Sequence, residues 1–120
     1  MTRTDIFDRS KSLEELEGVY WLRPDFDSYV VRTTHALRRK PLKALTVEEV
    51  RLGIGQEIGL PYLVPIALEW LKRDPGISGD SYEGDLFQAV LHVPKSFWTC
   101  RPDLREWFES IAKSIPANDT

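Results

Sequence analysis

The sequence is poor in the side chains most used for redox and soft-metal chemistry: 120 residues hold one cysteine, two histidines and one methionine. With Cys100 alone no internal disulfide can form, which favours a reducing compartment over a small secreted scaffold. His35 and His92 have no Cys or second His at a metal-ligand spacing, so no metal or cofactor is expected, and both are assigned to packing or surface roles. Cys100 carries no signature of a nucleophile and is expected to be a buried thiol beside Trp98. With no nucleophile and base to pair, neither an enzyme nor a small-molecule substrate is expected.

Long apolar runs are missing as well. The longest uncharged stretch, Ile58 to Leu68, spans 11 residues and contains Pro61 and Pro65, whereas a membrane-spanning helix needs about 20 apolar residues. Met1-Thr-Arg-Thr-Asp5 is not followed by the apolar segment of a secretory signal. The expectation is a soluble, cytoplasmic protein without a membrane partner. An excess of basic charge is also lacking: 16 Lys and Arg against 19 Asp and Glu leave a net charge of -3. This is not the footprint of a general nucleic-acid binder, so nucleic acid is not the expected partner.

What is present is the composition of a packed protein, 42% hydrophobic and 29% charged. The length fits one domain over residues 1–120, with an ordered core at about 12–115 and frayed ends. Start and stop signals then divide the chain into helices. Ser12-Leu-Glu-Glu15 and Thr46-Val-Glu-Glu49 have capping-box spacing, in which hydroxyl and carboxylate satisfy orphan amides at a helix start. The first helix should stop at Gly18, and the second, with Val47, Val50 and Ile54 as its stripe, should weaken at Gly53, Gly55 and Gly59. Ser28 caps a helix to about Lys40, where Pro41 forbids continuation.

The strongest periodicity is Leu60, Leu63, Val64, Ala67, Leu68 and Leu71, with Pro61 in the first turn. Pro65 should kink that helix, so its regular part is expected only from near that residue. Asp74-Pro75-Gly76 ends it, a loop runs through Gly79 and Gly84, and Leu86, Phe87, Val90 and Leu91 mark a helix before Pro94. Pro102 opens a last helix with Leu104, Trp107, Phe108, Ile111 and Ile115 on one stripe. No segment alternates with period two between turn signals. The fold class is all-α, a single compact domain of five or six short helices.

Gly53-x-Gly55-x-x-x-Gly59 lacks the strand and spacing of a phosphate-binding fingerprint and reads as close helix packing. Asp25-x-Asp27, and Asp80 with Asp85, do not complete a calcium loop; Asp27, Asp80 and Asp85 equally suit helix caps or loop hydrogen bonds. Charge distribution says more. From Asp74 to Pro94 the chain carries Asp74, Asp80, Glu83 and Asp85 and no Lys or Arg, while from Ser28 to Val47 it carries Arg32, Arg38, Arg39, Lys40 and Lys43 and no acid. Two explanations stand side by side, a lopsided binding surface and charges that favour helix dipoles. In the last helix Asp103, Glu106 and Glu109 lie off the apolar stripe, and Lys113 is placed to pair with Glu109.

Several segments together resemble the all-helical immunity proteins of contact-dependent growth inhibition (CDI) systems. They are Ser12-Leu-Glu-Glu-Leu-Glu-Gly18, Ser28-Tyr29, His35-Ala-Leu-Arg-Arg-Lys-Pro-Leu42, Leu45-Thr-Val-Glu-Glu49, Ile54-Gly-Gln-Glu-Ile-Gly-Leu-Pro-Tyr-Leu63 and Gly79-Asp-Ser-Tyr-Glu-Gly-Asp-Leu86. The resemblance implies a cytosolic protein that forms a heterodimer with the C-terminal toxin domain delivered by a neighbouring cell and blocks it. Many such toxins are nucleases, whose basic substrate surface an acidic patch would complement. The residues themselves add a candidate contact set: Asp74, Asp80, Tyr82, Glu83 and Asp85, with Trp98, Asp103 and Glu106. A second reading is a nucleic-acid-binding regulator using the basic 32–43 segment.

Overall fold

The computed structural model describes residues 7–22 and 28–114; Ile6, the Asp25-x-Asp27 pair, Ile115 and both chain ends lie outside the described residues. Every regular element among those residues is helical. Both capping boxes form. At α1 (Leu13–Glu17) the Ser12 hydroxyl accepts the Glu15 amide while the Glu15 carboxylate accepts the Ser12 amide, and Gly18 closes the helix. Thr46 and Glu49 do the same for α3 (Val47–Gly55).

Between them α2 (Tyr29–Leu37) is capped by Ser28 and ends earlier than the expected Lys40. The residue before a proline is pushed out of the helical region, so the chain tightens ahead of Pro41 into turns closed by Arg39 N–H to Ala36 and Lys40 N–H to Leu37. A 3-10 turn over Leu42–Ala44, not foreseen in the sequence, follows.

α3 passes through Gly53 without weakening there. A Cβ on Gly53 would lie 2.6 Å from a Leu63 methyl, the close packing expected of this glycine pattern. α4 (Leu60–Arg73) is helical from Leu60 rather than from Pro65: Pro65 removes one bond, to the Pro61 carbonyl, and the buried stripe on either side of it carries the helix through. After it come α5 (Asp85–Leu91), α6 (Lys95–Cys100) and α7 (Pro102–Lys113), giving seven helices among the described residues where five or six were expected. The added one is α6, a short helix with no fully buried residue. It leaves Cys100 exposed, contrary to the expected burial, because its half-buried residues Phe97 and Trp98 take the inward side.

α3 and α4 form the centre. α4 packs against α3, α5 and α7, while α3 also receives α2 and α5 and α6 rests on α7. Leu63, Val64, Ala67, Leu68 and Leu71 of α4 are wholly buried with Leu13, Leu37, Val50, Leu86, Val90 and Leu104. Each such leucine contributes about 1.5–3 kcal/mol through burial. No helix among the described residues is long and apolar enough to cross a membrane. The consequence for function lies at the join of α4 and α5, where residues 74–84 run as a loop over the first turn of α3.

Candidate functional site

The loop is built around two carboxylates. Asp85, at the first position of α5, is 2% exposed. Its oxygens accept the amides of Gly79 at 2.7 Å, Ser81 at 3.0 Å and Tyr82 at 3.4 Å, so the loop curls around it. Of the two roles open to Asp85 in the sequence, it takes that of loop hydrogen-bonder, and its charge faces the Nε of Arg51 at 3.5 Å. Glu48 is the second carboxylate. It accepts the Asp80 amide at 2.9 Å and the Arg51 guanidinium at 2.8 and 2.6 Å, while the Tyr29 hydroxyl donates at 3.4 Å. The Arg51 bonds, opposed by partial burial and helped by the Asp80 amide, hold the Glu48 carboxyl down at about 2.

Gly79 lets the loop lie this close. A Cβ there would sit 2.8 Å from the Glu48 Cα and 2.5 Å from its Oε1. Tyr29, Thr33, Glu48, Ser78 and Asp80 surround a cleft of about 470 Å³ between α2, α3 and the loop. On the loop's other flank, Pro75, Gly76, Tyr82, Glu83, Phe87 and Gln88 line a groove of similar size, also about 470 Å³.

The structure brings only part of the candidate set together. Asp74, Tyr82 and Glu83 gather around Gly76, the carboxylates of Asp74 and Glu83 both within 4 Å of where a Gly76 Cβ would lie. Asp80 instead borders the cleft formed with α2 and α3. Asp80, Tyr82 and Glu83 are exposed, and the carboxylates of Asp80 and Glu83 make no hydrogen bond or ion pair with another described residue. Trp98 is half-buried, stacked on Phe108 at 5.8 Å, and Phe108 in turn meets Phe87 at 5.0 Å. Asp103 and Glu106 line a different groove, about 840 Å³, with Lys72 and Trp107. There Arg101 grips Asp103 at 3.1 and 2.9 Å and lowers its pKa. Glu109 pairs with Arg105 at 3.2 Å rather than with the expected Lys113.

The basic segment is partly consumed by the fold. Arg38 is 2% exposed, donates to Glu17 and to the Val19 carbonyl at 2.5 Å each, and lies 4.4 Å over the Trp21 ring. Lys40 bonds Glu49 at 2.8 Å, and Arg39 approaches Glu14 at 3.9 Å. Sequence reasoning missed Glu48 and Arg51, whose i, i+3 spacing signals a pair but not that the pair receives a loop 32 residues further on.

Among the described residues the scaffold is all-helical, and its charged 74–84 loop is held by four amide bonds to Asp85 and Glu48. The chain belongs to the family of CDI immunity proteins, whose family model matches residues 15–107. That span takes in the end of α1, all of α2 to α6 with the 74–84 loop, and half of α7. No curated protein matches at a significant level, and no solved structure does.

Proposed function

We propose that this protein binds the C-terminal toxin domain of its own CDI system in the cytoplasm and neutralises it as a heterodimer. Its 120 residues act as one domain, and it works by binding rather than by catalysis. Membership of the CDI immunity family is the observation that carries this reading. The toxin is a nuclease in this proposal, because a protein that cleaves RNA or DNA needs a basic substrate surface and the loop offers its opposite.

The contact surface is the exposed part of the 74–84 loop, Asp74, Tyr82 and Glu83 on one flank and Asp80 on the other, with Asp85 underneath as support. Tyr82 is 58% exposed and supplies an aromatic anchor among the acids. Charges placed this way raise the rate of encounter with a cationic partner more than they lengthen the life of the complex. Trp98, Asp103 and Glu106 lie at the margin. The regulator reading loses two of its five bases, since Arg38 is inside the protein and Lys40 is paired, while Arg32, Arg39 and Lys43 stay exposed.

Co-expression with the toxin domain encoded immediately upstream tests the proposal. A 1:1 complex that abolishes the toxin's nuclease activity is expected. Two proteins that elute separately at micromolar concentration, with the activity intact, would sink it.

A further inference from the structure

The 78–82 backbone has little apolar cover of its own, yet six donors converge on two carboxylates to hold it. Asp85 takes three loop amides and Glu48 takes a fourth, with Arg51 bridging the pair and Tyr29 closing the far side of Glu48. Asp85 belongs to the same chain segment as the loop and would curl it wherever it went. Glu48 is different: it is anchored on α3, 32 residues away, and ties the curled loop to the core. Its side chain is 12% exposed, so water competes weakly for these bonds.

We infer that Glu48 is a positioning residue for toxin binding: by holding the Asp80 amide and Arg51 against α3, it fixes Asp80, Tyr82 and Glu83 in their binding arrangement before the partner arrives. The inference rests on the contact surface proposed above. A loop ordered beforehand loses less freedom on association, and the gain appears mainly as a slower dissociation. Long-range attraction depends on the number of charges far more than on their exact placement, so the association rate is affected less.

Three variants of the full chain, Glu48→Ala, Glu48→Gln and Val50→Ala, separate positioning from general stability. Gln keeps the oxygen that accepts the Asp80 amide, whereas Ala does not. Val50 is wholly buried on the same helix and its aliphatic side chain can accept no hydrogen bond from the loop, so Val50→Ala serves as the matched core lesion. Amide exchange is followed by NMR well below the unfolding midpoint, alongside binding kinetics with the upstream toxin domain. For Glu48→Ala the Asp80 amide should exchange at least tenfold faster, and the toxin should dissociate at least tenfold faster with its association rate within about threefold. Glu48→Gln should recover most of both, and Val50→Ala should leave both near wild type. An Asp80 amide still protected in Glu48→Ala, or equal weakening of the complex by Val50→Ala, would overturn the inference. If the wild-type chain binds no toxin, the proposed function fails, while the exchange measurement still decides whether Glu48 holds the loop.

Discussion

Residues 28–43 and 74–85 are near mirror images in sequence, five bases without an acid against four acids without a base. The fold treats them differently. The turns that follow α2 lie against neighbours rich in carboxylates, so Arg38 finds Glu17, Lys40 finds Glu49 and Arg39 approaches Glu14. The acidic stretch is a loop whose inner side meets one guanidinium, that of Arg51, while its outer side faces solvent. Only Asp85 is drawn inward; Asp80 and Glu83 keep their charges for the surroundings. A run of like charge is thus a weak guide to surface field beside packed helices, where distant segments bring counter-charges. In a loop tied down by its backbone amides, most of the run survives as field.

The sharpest break in this comparison is expected at Arg38. Its guanidinium is buried among Glu17, the Val19 carbonyl and the Trp21 ring, so Arg38→Ala removes a paired cation and leaves a void beside the indole. A loss of about 3–5 kcal/mol is expected from breaking a buried pair in this way. Lys43→Ala, at the exposed end of the same basic run, should change stability by no more than about 0.5 kcal/mol. Urea unfolding of both variants checks the contrast, and similar losses at the two sites would mean that Arg38 is not the internal charge described here.

The acidic side has its own internal charge in Glu48. Its carboxyl is lowered from 4.5 to about 2 in the folded protein, chiefly by Arg51. A group whose folded pKa is depressed stabilises above its unfolded value, and that contribution fades as pH falls through 4.5 towards 2. The difference corresponds to about 3 kcal/mol at neutral pH. Wild type should therefore exceed Glu48→Gln in stability by most near pH 7, and the gap should narrow steadily below about pH 4.5. A gap that stays constant from pH 7 to pH 3 would show that the carboxylate's charge is not what stabilises this contact.

Legibility in the sequence followed the range of each interaction. Capping boxes at Ser12 and Thr46, the α4 stripe and the final proline-started helix depend on residues within a few positions of each other, and all appear as expected. The early end of α2 and the helical course of α4 through Pro65 were misjudged because tight turns and the loss of one helix bond are settled by geometry over a few ångströms. α6 was missed because two half-buried aromatics make no periodicity. At the site, the acids were visible as a charge run, but the inward turn of Asp85 and the roles of Glu48 and Arg51 were not. Those depend on bringing residue 48 to residue 80, which no local spacing encodes.

Gly79→Ala is expected to have a smaller effect, confined to the same seam. The new Cβ would press on the Glu48 backbone, Cα at 2.8 Å, a neighbour that cannot swing away as a side-chain tip would. The loop must lift instead, and the overpacking should cost about 1–3 kcal/mol. Faster exchange of the Asp80 amide, with the α4 core amides unchanged, would place that cost in the loop. Gly55→Ala, where a Cβ would meet nothing within 4 Å, is the control and should show no such loss.

The smallest effect on the fold, and the largest on binding rate, is expected from Asp80→Asn combined with Glu83→Gln. Both carboxylates are exposed and make no ion pair among the described residues, so their removal should alter unfolding free energy by about 0.5 kcal/mol or less. Asp85 is left in place, because its oxygens carry three loop amides and its substitution would mix a folding lesion with a charge effect. If the two outer charges steer a cationic toxin, the association rate at low ionic strength should fall several-fold. The remaining rate should depend less on salt, since screening then has fewer charges to act on. The dissociation rate should move little, as expected for charges at the rim. Stopped-flow mixing with the upstream toxin domain at about 20 mM and about 300 mM salt measures this, the two conditions giving Debye lengths on either side of about 10 Å. An association rate equal to wild type at both ionic strengths would remove the exposed part of the loop from the contact surface. The contrast between a partly neutralised basic segment and an uncompensated acidic loop would then describe the fold without explaining recognition.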